Sequence, residues 1–416
     1  MINRFFLKCP GCNTPFIARI AVGPAKNTRF YLPCPHCSLP IKGSMDGEDI
    51  MDYRLNIECE EVHEHNLPES PKVITINPFV PSRYNADSFD NLGSFSTITL
   101  ISLLEGMEET NNFVKEHSYG QHISKKIWPE TNKIFNYYLM QNWPMFENSA
   151  RVGLDLNSIG SKMHERTSIA YSCMLVTTRQ LIGSSNIGVS YMTERFLRKH
   201  KSTLKNYQYI SLIRNETPNV LSLEKNLFDT IDNFIREYEV WCMGRLNHHI
   251  TEKAKSNLNE LTLFRDEFST VRDLYQQGFE IACKCLWILI SAQNSLKYGD
   301  PNEFGDKHPK NVPQGRRATS INKFNKLPNA HKISYVSMVP GWEVISTVLD
   351  NKRRNTIGHA TVHHDLKDGR IYSDTDTQGT TYIQFLGEIF DMFTLLSEFM
   401  QIVRCARIIT SPDFHI

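Results

Sequence analysis

Several features are missing from this chain, and each absence removes a class of protein. The most apolar stretch, Cys285 to Ile290, is far shorter than the roughly 20 residues a membrane span needs, so no transmembrane segment is expected. Lys8 and Cys9 arrive before an apolar signal core could form, so no export signal is expected either. Neither charge is in excess. The 46 Lys and Arg against 45 Asp and Glu give a formal net charge of +1, so any contact with nucleic acid must come from local patches. No internal repeat and no helix-turn-helix pattern is legible, which argues against a duplex-DNA regulator carrying a zinc ribbon. No disulfide framework is legible either. Of ten cysteines, Cys59, Cys173, Cys242, Cys283, Cys285 and Cys405 are scattered, mostly in apolar surroundings, as in a reducing, cytoplasmic compartment.

The remaining four cysteines form a pattern. Cys9-Pro10-Gly11-Cys12 and Cys34-Pro35-His36-Cys37 are two knuckles 21 residues apart. Four thiolates at this spacing can meet tetrahedrally around Zn²⁺, giving one structural zinc per chain, with His36 a bystander. A closed four-sulfur site leaves no position for substrate. Arg19, Lys26 and Arg29, with Phe30 and Tyr31, offer charge and stacking surface for nucleic acid; the alternative is a metal-stapled lid with no contacts of its own. Cys59, His63 and His65 are too few for a second site.

At 416 residues and 40% hydrophobic, the chain is long and apolar enough for two or three domains with a sizeable core. The expected class is mainly α, behind a zinc ribbon at 1–47 and a strand-and-loop connector at 48–96. In the connector Tyr53, Leu55 and Ile57 alternate with polar neighbours, and Val73 to Ile76 is a β-branched run. A helical region follows at 97–250, as a sensor or part of an enlarged bundle, with helices expected near 98–116, 121–141 (interrupted or capped near Pro129), 162–200 (broken at Gly183 and Gly188) and 223–250. The clearest helix is expected over 257–297, where Phe264, Phe268, Val271, Tyr275, Phe279, Ala282, Leu286 and Ile290 form one stripe. Residues 300–333 read as a long basic loop carrying Arg316, Arg317 and Lys323, suited to an RNA backbone. A helix starting near Trp342 follows, then a hairpin turning at Asp368-Gly369, then a final helix at about 381–409.

Chemistry concentrates in Lys352-Arg353-Arg354-Asn355-Thr356-Ile357-Gly358-His359, at what reads as the end of the helix after Trp342. A guanidinium clamps phosphate oxygens, and an imidazole moves a proton near neutral pH. RNA carries the 2′-hydroxyl such a pair needs. His359 as general base would release the 2′-oxygen to attack phosphorus, Arg354 would stabilise the growing charge, and Asn355 would orient it. Lys352 and Arg353 would add phosphate contacts, and Arg353 is itself an alternative to Arg354. No metal is needed for this chemistry. The bland alternative is that these cations complement the carboxyl end of a helix. His363, His364 and Asp365 read as solvated strand residues.

The pattern of Arg354, polar Asn355 and His359, late in a helical chain headed by a zinc ribbon, resembles the HEPN superfamily of prokaryotic ribonucleases. The resemblance covers 251–416. It implies an up-down helical bundle with a small β-hairpin and a metal-independent endoribonuclease of the toxin or antiphage abortive-infection type. It also implies a homodimer through that bundle, in which a second histidine protonates the leaving oxygen. An antitoxin or defence-system partner is a further implication. The competing reading is a HEPN-like module that binds RNA or a partner protein without cutting.

Overall fold

The structure is a computed structural model that describes residues 2–23, 25–47, 53–83, 96–154, 159–183, 196, 198, 201–251, 253–358, 362–373 and 376–414. It is mainly α, with β-strands at the N-terminus and a small sheet late in the chain. By spatial contact the chain forms two compact units, each assembled from three segments. Unit 1 comprises Met1–His117, Glu239–Asp273 and Thr356–Ile389; unit 2 comprises Ser118–Tyr238, Leu274–Asn355 and Phe390–Ile416. Among the described residues no helix is long and apolar enough to cross a membrane.

Unit 1 holds the strands. β1 (Ile2–Lys8) and β2 (Pro15–Ala21) form an antiparallel hairpin joined by the first cysteine knuckle. β3 (Ala25–Pro33) and β4 (Pro40–Gly47) form another around the second. β5 (Tyr53–Ile57) pairs with β4, β6 (Glu60–Glu61) with β1, and β7 (Val73–Ile76) runs parallel to β2. Alternation sorts the side chains: Ile74 and Ile76 are buried, whereas Val73 and Thr75 are only partly so. Leu7, Phe16, Phe30, Tyr31, Leu32, Ile41 and Met45 complete this core with Phe264 from much later in the chain.

Phe264 corrects the expectation of a helix from 257. The helix runs Phe268–Tyr298, and the residues before it take other roles. Ala254–Glu260 is a 3₁₀ helix, and β9 (Leu261–Thr262) pairs with β8 (Ser82–Arg83). Residues 264–267 then lie along β3. The Tyr31 amide donates to the Phe264 carbonyl at 3.4 Å, the Asp266 amide to Arg29 at 3.0 Å, and Lys42 Nζ meets Asp266 at 2.7 Å. Glu267 receives Arg265 Nε at 2.7 Å and the Arg29 amide at 3.0 Å. A stripe of period three to four fits these residues, but an open sheet edge offered their backbone more hydrogen bonds. The late sheet, β10 (His363–Asp365), β11 (Arg370–Ser373) and β12 (Asp376–Thr381), turns at Gly369 with φ 69°. It is tied to 259–262 by Thr262 Oγ1 donating to the Gly369 carbonyl (3.2 Å) and Arg370 to Asn259 (2.6 Å).

Unit 2 is helical: Trp128–Leu139, Trp143–Leu154, Met163–Ile182, Tyr207–Asn215 and Thr217–Arg236 pack with parts of Phe268–Tyr298 and Tyr382–Ile409. Pro129 sits in the first turn of its helix, after a wide turn at Ile123–Ile127, and Gly183 closes the next at φ 68°. Gly188 lies outside the described residues. At the centre the buried Glu224 carboxylate accepts from Tyr138 (3.0 Å), Tyr171 (2.8 Å) and Arg407 Nε (3.0 Å). Residues 300–333 are not an open loop. Phe304, Phe324 and Tyr335 pack ring on ring, Ser320 caps the short helix Ile321–Asn325, and a helix follows at Asn329–Ser337. Their apolar side chains, spaced too irregularly to show as a stripe, bury the polar stretch's backbone.

Candidate functional site

The two knuckles fold alike. In each, the amide of the residue after the second cysteine (Asn13, Ser38) returns to the first cysteine's carbonyl at 2.9 Å, in a left-handed conformation (φ 57° and 59°). The turns aim four sulfurs at one point: the ligand atoms of Cys9, Cys12, Cys34 and Cys37 all lie within 4.8 Å of one another, with Cys9–Cys37 at 3.6 Å and Cys12–Cys34 at 3.8 Å. A tetrahedron of sulfurs about 2.3 Å from a metal has edges of about 3.8 Å, so this donor set can hold a metal ion. Hydrogen bonds from the Thr14 hydroxyl and backbone hold the Cys12 thiol down to about 6, whereas burial pushes Cys34 up. His36 is exposed and outside the cluster. Phe30 and Tyr31 offer no stacking surface: both are fully buried.

The Arg-Asn segment corrects a second expectation. It does not end an apolar helix. That helix, Glu343–Val348, stops first, and the segment forms its own helix, Asn351–Gly358. Asp350 is its N-cap, its carboxylate accepting from the amides of Lys352 (2.8 Å) and Arg353 (3.2 Å). Lys352, Arg353 and Arg354 therefore occupy the first turn. That is the positive end of the helix dipole, where cations are disfavoured. Dipole complementation does not account for them.

Arg354 is held in place. Its Nη2 pairs with Glu280 Oε1 on the long helix, and Nη1 reaches Asn355 Oδ1 at 3.3 Å. The other Glu280 oxygen accepts from Asn329 Nδ2 at 3.0 Å. Lys332, one turn beyond Asn329, lies within the electrostatic reach of Glu280, Cys283 and Lys284, and burial lowers its pKa. The structure thus gathers Arg354, Asn355, Glu280, Asn329 and Lys332 in unit 2. Sequence reasoning passed over Glu280, because an acid beside an apolar stripe is ordinary; only the contact across 74 residues marks it. Arg316 and Lys323 are exposed on the packed 300–333 segment, and Arg317 lies beside His308, whose pKa its charge helps to lower after burial. Arg353 is partly buried and Lys352 exposed. His359 lies outside the described residues.

His364 is not solvated. Its ring stacks on Tyr382 (4.9 Å, 15°), takes the edge of Tyr31 (5.8 Å) and meets Phe268 (6.1 Å). Neither ring nitrogen makes a hydrogen bond, and burial holds the imidazole down to about 4 against the opposing pull of Asp266, Asp368 and Asp365. His363 is exposed beside Tyr372.

No family model, no curated protein and no solved structure matches this chain.

Proposed function

We propose that this protein is a metal-independent endoribonuclease of the HEPN type, with a structural zinc ion in its four-cysteine centre. The observation that carries this reading is the first turn of Asn351–Gly358. Three consecutive cations stand at the positive end of a helix dipole, and one of them, Arg354, is fixed by Glu280. Helix dipole and side chains together favour an anion such as a phosphodiester. His359, next after this helix, takes the 2′-hydroxyl proton; Arg354 stabilises charge on the phosphate oxygens, and Asn355 orients the guanidinium. The products are a 2′,3′-cyclic phosphate and a 5′-hydroxyl. Cys9, Cys12, Cys34 and Cys37 would hold the zinc, which staples β1 to β4 and takes no part in the cut. A toxin or antiphage effector acting as a cytoplasmic homodimer fits such an activity.

The test is RNA-end sequencing after brief expression, with purified protein in parallel. Wild type should leave cyclic-phosphate ends, and Arg354→Ala and His359→Ala should each lose cleavage by at least ~100-fold with the melting temperature unchanged. Cutting that persists in both variants refutes the assignment. RNA bound but never shortened by the wild type would make the chain a binding module instead.

A further inference from the structure

The leaving 5′-oxygen also needs a proton, and the helix Asn329–Ser337 supplies a group for it. Asn329 donates to Glu280, and Lys332 follows at i+3, on the same face of that helix. Cys283, one turn along the long helix from Glu280, registers the charges of Glu280, Lys332 and Arg354 together, so the three surround one spot. Their engagement differs. Arg354 has committed one terminal nitrogen to Glu280 and the other to Asn355. The Lys332 ammonium makes no hydrogen bond and no ion pair among the described residues, and its side chain is partly buried.

We propose that Lys332 is the proton donor to the 5′-oxygen of the RNA linkage, so that one chain carries both the base and the acid. This rests on the ribonuclease reading above. The 2′-oxygen, having given its proton to His359, bonds to phosphorus. The P–O5′ bond breaks and its electron pair goes to O5′, which takes a proton from the Lys332 ammonium. The amine is left neutral and the imidazole protonated, and exchange with water resets both. Partial burial makes this ammonium a stronger acid than one in water, as the step requires. A partner histidine is then unnecessary for the chemistry.

The experiment uses the full chain and a mixed-sequence single-stranded oligoribonucleotide, with the cut site mapped first on the all-oxygen strand. A second strand carries sulfur in place of the bridging 5′-oxygen at that linkage, a leaving group that needs no proton. Lys332→Ala should cut the oxygen strand roughly 100-fold more slowly and the sulfur strand at nearly the wild-type rate. Lys332→Arg keeps the charge but cannot release a proton at neutral pH, so it should show the same split; it carries the test if the alanine variant does not fold. Equal slowing on both strands, or none on either, overturns the proposal while leaving the ribonuclease reading intact. A wild type that cuts neither strand defeats that reading itself, and the proposal with it.

Discussion

Acidification from pH 7 to pH 5 should cost unit 1 about 2 kcal/mol through His364 alone. The imidazole sits among Tyr31, Phe268 and Tyr382 with neither nitrogen hydrogen-bonded, and its pKa falls from the ordinary 6.5 to about 4. Unfolded, it takes a proton below 6.5; folded, it resists until about 4. Across that window the unfolded chain binds the extra proton, so stability falls as pH falls, and the loss is complete below the folded value. The whole window is worth about 3 kcal/mol at 1.36 kcal/mol per unit, and most of it has gone by pH 5. The assay is urea unfolding of the wild type and of His364→Phe at both pH values. Phenylalanine keeps the stack on Tyr382 and cannot titrate. It should be as stable as the wild type or slightly more so at pH 7, since it removes a buried polar ring without partners. At pH 5 it should be the more stable by about 2 kcal/mol. Protonation of the cysteine thiolates and of His117, also held down to about 4, is common to both proteins and cancels in the comparison. Parallel pH dependence of the two would show that the ring is protonated without cost, and the account of its burial would be wrong.

Two further outcomes follow from named contacts. The chain should bind one zinc by elemental analysis and, reloaded with Co²⁺, show four-thiolate absorption; Cys34→Ser should change that spectrum and loosen β1 to β4, and an unchanged spectrum would remove Cys34 from the ligand set. Glu224→Gln leaves the Arg407 guanidinium buried without its counter-charge and should cost unit 2 about 3–5 kcal/mol in denaturant unfolding, whereas the double variant Glu224→Leu with Arg407→Met should cost far less; equal losses would mean that the pair is not coupled.

Some of this was legible along the chain because the signal was local. Two C-x-x-C knuckles need only their own turns to aim sulfur, so spacing alone specified the cluster. The last helix showed in its sequence, because Ile383, Leu386, Phe390 and Phe393 repeat a pattern that a helix buries on its own. Asp368-Gly369 marked the hairpin, since the turn needs a residue at positive φ. Elsewhere two local choices were open and distant partners selected one. Phe264 and Arg265 fit a helical stripe, yet lie along β3. The two short helices within 300–333 formed because Phe304, Phe324 and Tyr335 found one another.

By itself the sequence determined the cysteine centre, the predominance of helix and the concentration of cations at 352–354. These follow from spacing, periodicity and composition, which are properties of neighbours. Only the tertiary structure decided that those cations open a helix rather than close one, that Glu280 and not water holds Arg354, and that His364 is sealed among rings. Capping, ion pairing and burial each depend on groups that folding brings in from elsewhere in the chain, up to hundreds of residues away.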